Sequence, residues 1–145
     1  MIDTLKTFSM MVLVGACVRL TASWIDSPYL MKFLDANLIN LQIALLAITT
    51  TTAGVVLSRM REIMDKLGAD FSLTIDAFKK SAYEQIFLII SSILLLTAIS
   101  SKVVIDLHPN AQITLECLLA SVFFASLYNL YDNAKSIFII ISFRR

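Results

Sequence analysis

The stretch 36–58 limits the fold more than any other part of the chain, because it holds no charged residue between Asp35 and Arg59. Crossing the ~30 Å hydrocarbon layer of a bilayer takes roughly 20 mainly apolar residues in a helix. In lipid every backbone N–H and C=O must be bonded within its own element, so only helices and closed barrels span. This run therefore reads as one transmembrane helix. Composition shows that it is not isolated: 58% of the 145 residues are hydrophobic and 16% charged, where about a quarter of a soluble domain is charged. One small core cannot hide that much apolar surface from water.

The remaining apolar runs give an expected fold: all-α, an integral membrane four-helix bundle in one domain, with spans at about 5–25, 36–58, 84–102 and 113–135. Arg19 interrupts the first run and can snorkel to the interface. The last run reads as one long helix from about Ala111, with Asp132 and Lys135 near the inner interface and three residues apart, close enough to neutralise each other in part. The first run also has the length of a signal-peptide core, and Val14-Gly15-Ala16-Cys17 faintly resembles a lipoprotein cleavage box. Lys6 alone makes a poor basic flank, so the first helix is expected to be retained. Trp24, Tyr29, Tyr83 and Tyr131 suit interface anchors.

Basic residues set the expected orientation. Arg59, Arg61, Lys66, Lys79 and Lys80 lie between the second and third spans, against Lys32 and Lys102 in the flanking loops. The positive-inside tendency puts that segment in the cytoplasm. With four spans, Lys6 and the terminal Arg144 and Arg145 fall on the same side, so both ends are expected to be cytoplasmic.

The segment 59–83 reads as a cytoplasmic helical hairpin between spans 2 and 3. Met60, Ile63, Met64 and Leu67 recur at helical spacing, continuing the second helix past the membrane. Gly68 supplies a stop, and Asp70 or Ser72 can cap a new helix with the stripe Phe71, Ile75, Phe78 and Ala82. Glu62, Asp65, Asp70, Asp76 and Glu84 balance the five basic residues. This surface is either a solvated stalk, a docking site for a cytoplasmic partner or small ligand, or a pairing surface for further copies of the chain.

Polar and small residues mark where helices meet in lipid. In the second span, Thr49 to Thr52 form an unbroken threonine run. Thr50, Gly54 and Ser58 make a small-residue face, and Asn37, Asn40, Ala44, Ala47, Thr51 and Ser58 a partly polar stripe. The stripe serves either close packing, with hydroxyls bonded to their own backbone, or a water-filled path between protomers, lined by Asn40, Ala44, Thr51 and Ser58. In the fourth span Ala125, Asn129, Asp132 or Asn133, and Ser136 share a face. Ionisable groups in a span are costly and raise a functional question. Arg19 and Glu116 should lie at similar depth and can pair. A ring of such charges around an oligomer axis would set ion selectivity; an isolated pair fixes packing.

The chemistry-bearing residues are few. No Gly-rich phosphate loop, metal-spacing cluster or nucleophile–base grouping occurs, and the spans lack the breaks typical of transporters. His108, before Pro109, reads as a loop residue, with pH sensing as the alternative. Cys17 and Cys117 read as small buried hydrophobes without a disulfide. A net charge of +1 leaves no footprint for double-stranded nucleic acid readout. No enzyme activity, cofactor or metal is expected.

Ser58-Arg59-Met60-Arg61, closing the polar second span, and Leu127-Tyr128-Asn129-Leu130, late in the last, resemble segments of small bacterial and phage exclusion membrane proteins. These include the Rex-type ion channel and the membrane effectors of nucleotide-signal defence systems such as Hailong. The order of parts is similar over most of the chain. The resemblance implies a homo-oligomeric pore of the bacterial inner membrane that depolarises an infected cell, in answer to a small nucleotide or a cytoplasmic protein. The alternative is a non-conducting membrane adaptor that recruits a partner through the hairpin. A holin, causing lysis, is a third reading.

Overall fold

The computed structural model of the chain describes residues 2–67, 71–106 and 110–142. The described secondary structure is helical throughout: α1 (Ile2–Trp24), α2 (Tyr29–Leu67), α3 (Ser72–Ser100), the short α4 (Lys102–Asp106) and α5 (Ala111–Ser142). Three stretches are long and apolar enough to cross a membrane: Tyr29–Arg61, Ser72–Ser100 and Ala111–Lys135. The apolar part of α1, Ser9–Trp24, is shorter than these among the described residues. The chain is thus an all-helical protein with membrane-spanning helices.

Helix α2 begins at Tyr29 rather than at the expected 36. The carbonyl of Pro28 accepts the Lys32 N–H at 3.1 Å, and proline's fixed φ suits a helix start. Asp35 ended the apolar run in the sequence without ending the helix, because Asp35 is exposed while Leu34 and Leu38 are fully buried. The turn before it has no glycine. Asp26 takes φ 53°, Ser27 N–H returns to the Ala22 carbonyl at 2.9 Å and Asp26 N–H to Ser23 at 3.2 Å, the double bond of a Schellman stop.

Helix α3 starts without either expected cap. Phe71 holds the N-cap position with no side-chain bond, and its carbonyl accepts Thr74 N–H at 3.0 Å and Ile75 N–H at 3.1 Å. Ser72 is already helical, and Gly68 and Asp70 lie outside the described residues. Half-buried Phe71 and Ile75 and buried Phe78 secure this end by packing instead. Ser101, extended, ends α3. Helix α5 runs unbroken through Asp132, Asn133 and Lys135.

Helices α2, α3 and α5 pack as a triangle, while α1 lies outside it, against α5. The apolar core sits at the end holding the α1–α2 turn: Leu34, Leu38, Leu119 and Ala120, flanked by Leu95, Leu96, Ile99 and Phe123. Buried residues recur every seventh position, Phe78, Gln85 and Ser92 on α3 and Leu119, Ser126 and Asn133 on α5. That period keeps two helices in one seam along their length. Outward, Ile43, Ile48, Val55, Phe87, Ile90 and Leu94 are exposed, a surface that lipid rather than water suits. Trp24, Tyr29, Tyr83 and Tyr131 are also exposed. Cys17, expected to be buried, is exposed, because α1 is covered on its α5 side alone; Cys117 is half-buried, and both thiols are free.

Candidate functional site

Asn40, Ala44, Thr51 and Ser58 are all exposed on α2, with Ala47 and Gly54 on the same side. A Cβ added at Gly54 would meet nothing within 4 Å. No other part of the described chain covers this stripe. The hydroxyls beside it on the same helix are turned inward, as serine and threonine can do. Thr49, Thr50 and Thr52 hydroxyls donate to the carbonyls of Leu45, Leu46 and Ile48 at 2.9, 2.7 and 2.7 Å, and Ser58 donates to Gly54 at 2.9 Å. The Asn37 amide donates to Phe33 at 3.1 Å. The stripe therefore offers small side chains to whatever lies beside it, Ser58 bonded to its own helix and Asn40 and Thr51 exposed.

A second polar group is buried inside the triangle, and only part of it was legible beforehand. Asn129 is its centre. Its amide donates to the Ser81 carbonyl at 3.0 Å and to Gln85 Oε1 at 3.1 Å, and its Oδ1 accepts from the Ser81 hydroxyl at 2.5 Å. One turn on, the Asn133 amide donates to Ser81 Oγ and, at 3.0 Å, to the Asn129 carbonyl. On α2, Gln42 Nε2 donates to Ser126 Oγ at 2.8 Å, and Gln85 Nε2 reaches the Gln42 carbonyl at 3.5 Å. Gln42, Gln85, Ser81 and Ser126 were not anticipated as site residues. The available signal was two glutamines inside otherwise apolar runs. Of the alternatives Asp132 and Asn133, the structure buries Asn133 and leaves Asp132 exposed.

Arg19 and Glu116, expected at one depth, meet directly. Arg19 Nε lies 2.5 Å from Glu116 Oε2, and Gln112 Nε2 donates to Glu116 Oε1 at 3.0 Å. Their side chains are 20% and 11% exposed, so each charge has the other in place of most of its water. Beside them α1 and α5 approach closely: a Cβ on Gly15 would meet the Ser121 Oγ first and, behind it, the Ser121 backbone N at 2.6 Å and Cα at 2.8 Å. Glycine is required there because, even if the hydroxyl turned away, the backbone behind it cannot swing aside.

Arg59, Arg61, Lys79 and Lys80 are exposed, Lys79 lies 3.5 Å from Asp76 and Lys80 3.6 Å from Glu84. Exposed pairs of this kind contribute little to stability. The side chain of Lys66, and His108, Pro109, Arg144 and Arg145 altogether, lie outside the described residues. No group of three His, Cys, Asp or Glu able to hold a metal occurs among the described residues. Comparison with family models, with curated proteins and with solved structures finds no match.

Proposed function

We propose that this chain is a multi-pass protein of the bacterial inner membrane that assembles with copies of itself into a gated, ion-conducting pore. In this reading α1 is a fourth span, the termini and the α2–α3 hairpin are cytoplasmic, and α2 faces the conducting path through Asn40, Ala44, Thr51 and Ser58. The observation that supports it is the uncovered polar stripe on a helix long enough to span. Exposed polar side chains at membrane depth call for water or a neighbouring protein surface rather than lipid. The triangle of α2, α3 and α5 is filled by side chains, so a water path would have to run between protomers. Exposed Arg59, Arg61, Lys79 and Lys80 suit an anionic trigger, a small nucleotide or an acidic protein face, and opening would depolarise the membrane in defence against phage.

A second reading, a non-conducting adaptor, draws on the same basic surface and treats the α2 stripe as packing only. Planar-bilayer recording of the purified protein, with oligomeric state measured in the same detergent, separates the two. The pore reading expects a cyclic oligomer and discrete conductance steps. A monomer that stays silent in the bilayer contradicts it and favours the adaptor.

A further inference from the structure

Each long helix carries its own charge-free run, and the contacts between helices fix how these runs line up. Helix α2 runs parallel to α5, since Leu34 and Leu38 share a core cluster with Leu119 and Ala120 while Gln42 bonds Ser126. Asp132, six residues past Ser126, is level with Ile48, six past Gln42. Helix α3 runs the other way, with Asn129 bonded to both Ser81 and Gln85, and Gln85 reaching Gln42. Glu84 thus stands level with the stretch between Ile43 and Leu46. Helix α1 meets α5 through Gly15 and Ser121 and through Arg19 and Glu116, which brings Lys6 level with Leu130.

Toward the hairpin, the charge-free runs of α1, α3 and α5 end at nearly one level, at Lys6, Glu84 and Asp132. That of α2 continues to Arg59, eleven residues beyond Ile48 and roughly 16 Å further at 1.5 Å per residue. The opposite end of α2 is displaced the same way. Exposed Asp35 is level with exposed Leu94, well inside the run of α3, which Lys102 closes eight residues later, about 12 Å further out. A bilayer lying square to the bundle cannot serve both sets. Set level with α1, α3 and α5, it immerses Asp35 and leaves Val55, 61% exposed, in water. Set level with α2, it immerses Lys80, Glu84 and Asp132, which all reach the bundle surface. Exposed charge in hydrocarbon is costly, and an oblique layer avoids it at both ends.

We infer that the lipid-contact surface of this protein is an oblique band, so that the bundle crosses the bilayer tilted, its hairpin end leaning toward the α2 side. A shift of about 12–16 Å across two packed helices, about 20 Å wide, corresponds to a tilt of roughly 35°. That lies within the ~0–40° found for membrane helices. Tyr83 and Tyr131, both exposed and level with each other, then mark the inner edge of the band on the α3–α5 side, where tyrosine suits the headgroup layer. On the α2 side the same tilt keeps Asn40, Ala44, Thr51 and Ser58 at membrane depth. The inference concerns how a single chain meets lipid and holds whether or not the protein conducts.

Depth measurements in lipid vesicles test it, using the full chain with Cys17→Ser and Cys117→Ala. Single spin labels are placed on Val55→Cys, Asp76→Cys, Asp35→Cys and Leu94→Cys, all exposed positions. Collisions with oxygen and with a water-soluble nickel chelate report the depth of each. Val55 lies at least as far toward the hairpin as Asp76, so a square bundle leaves both in water, and it immerses Asp35 and Leu94 alike. The oblique band expects Val55→Cys about 10–15 Å deeper than Asp76→Cys, and Leu94→Cys about 10 Å deeper than Asp35→Cys. Equal depths within either pair overturn the proposal, because the two ends of α2 must shift together. The unsubstituted chain gives an independent reading. Its amide dichroism in aligned bilayers should correspond to a mean helix tilt of roughly 35°, and a mean below about 15° contradicts the band.

Discussion

Replacing Asn129 by leucine removes the centre of the buried polar group while keeping the branched shape of the side chain. Three interhelical hydrogen bonds disappear, to the Ser81 carbonyl, from the Ser81 hydroxyl and to Gln85 Oε1. Interhelical bonds in membranes average ~0.6 kcal/mol each, so the bonds alone account for about 2 kcal/mol. Gln85, 1% exposed, keeps an amide oxygen with nothing to accept from, and an orphaned buried acceptor adds ~1–3 kcal/mol. The expected loss is therefore roughly 3–5 kcal/mol, read from reversible unfolding in mixed detergent–SDS micelles. Thr51→Leu, on the exposed face of α2, should cost under ~0.5 kcal/mol in the same assay. A double-mutant cycle with Gln85→Leu should show coupling of at least ~0.5 kcal/mol. The reasoning fails if Asn129→Leu costs no more than Thr51→Leu, or if the cycle shows no coupling.

Three other substitutions probe separate parts of the account. Arg19→Leu leaves Glu116 mostly buried without its counter-charge and should cost about 2–3 kcal/mol, at or below the lower end for a buried pair, whereas Arg19→Leu with Glu116→Leu should regain most of it; a double variant as weak as the single one would disprove the pairing argument. Gly15→Ala should lower stability by ~1–3 kcal/mol through overpacking, and Ser121→Ala should rescue it only in part, since the Ser121 backbone N and Cα remain in the way once its hydroxyl is gone; full rescue would show that the side chain was the whole obstacle. Asp26→Gly removes a non-glycine residue from φ 53° and should raise the unfolding midpoint, by about 1 kcal/mol in free energy; a fall would mean that the Asp26 side chain holds the turn.

The spans were legible in sequence to the extent that lipid dictates them. Runs 36–58 and 84–102 announced α2 and α3 because charge is costly in hydrocarbon, and α5 was readable as one helix from Ala111. The helix ends were less legible. Asp35 and Lys32 point outward from α2, so a charge ended the apolar run but not the helix. The start of α3 rests on the packing of Phe71 and Phe78, which no capping pattern reveals. Residue spacing on a single helix also cannot say which neighbour will cover it. It grouped Asn129 with either Asp132 or Asn133, and only the position of α3 decides for Asn133. It exposed no link between Gln42 and Ser126, 84 positions apart, which is a fact of tertiary packing. The Arg19–Glu116 pair was readable because depth in a bilayer acts as a shared coordinate for separate helices.

In the proposed pore the α2 stripe faces water rather than lipid. Single cysteines along α2, in a background without Cys17 and Cys117, can be exposed to a membrane-impermeant thiosulfonate in intact vesicles. The account predicts that Thr51→Cys and Ser58→Cys react at least about tenfold faster than Ile48→Cys and Val55→Cys, because thiolate forms far more readily in water than in an apolar surround. Equal rates at all four positions, or protection of Thr51→Cys and Ser58→Cys, would contradict it and leave the stripe as a packing surface.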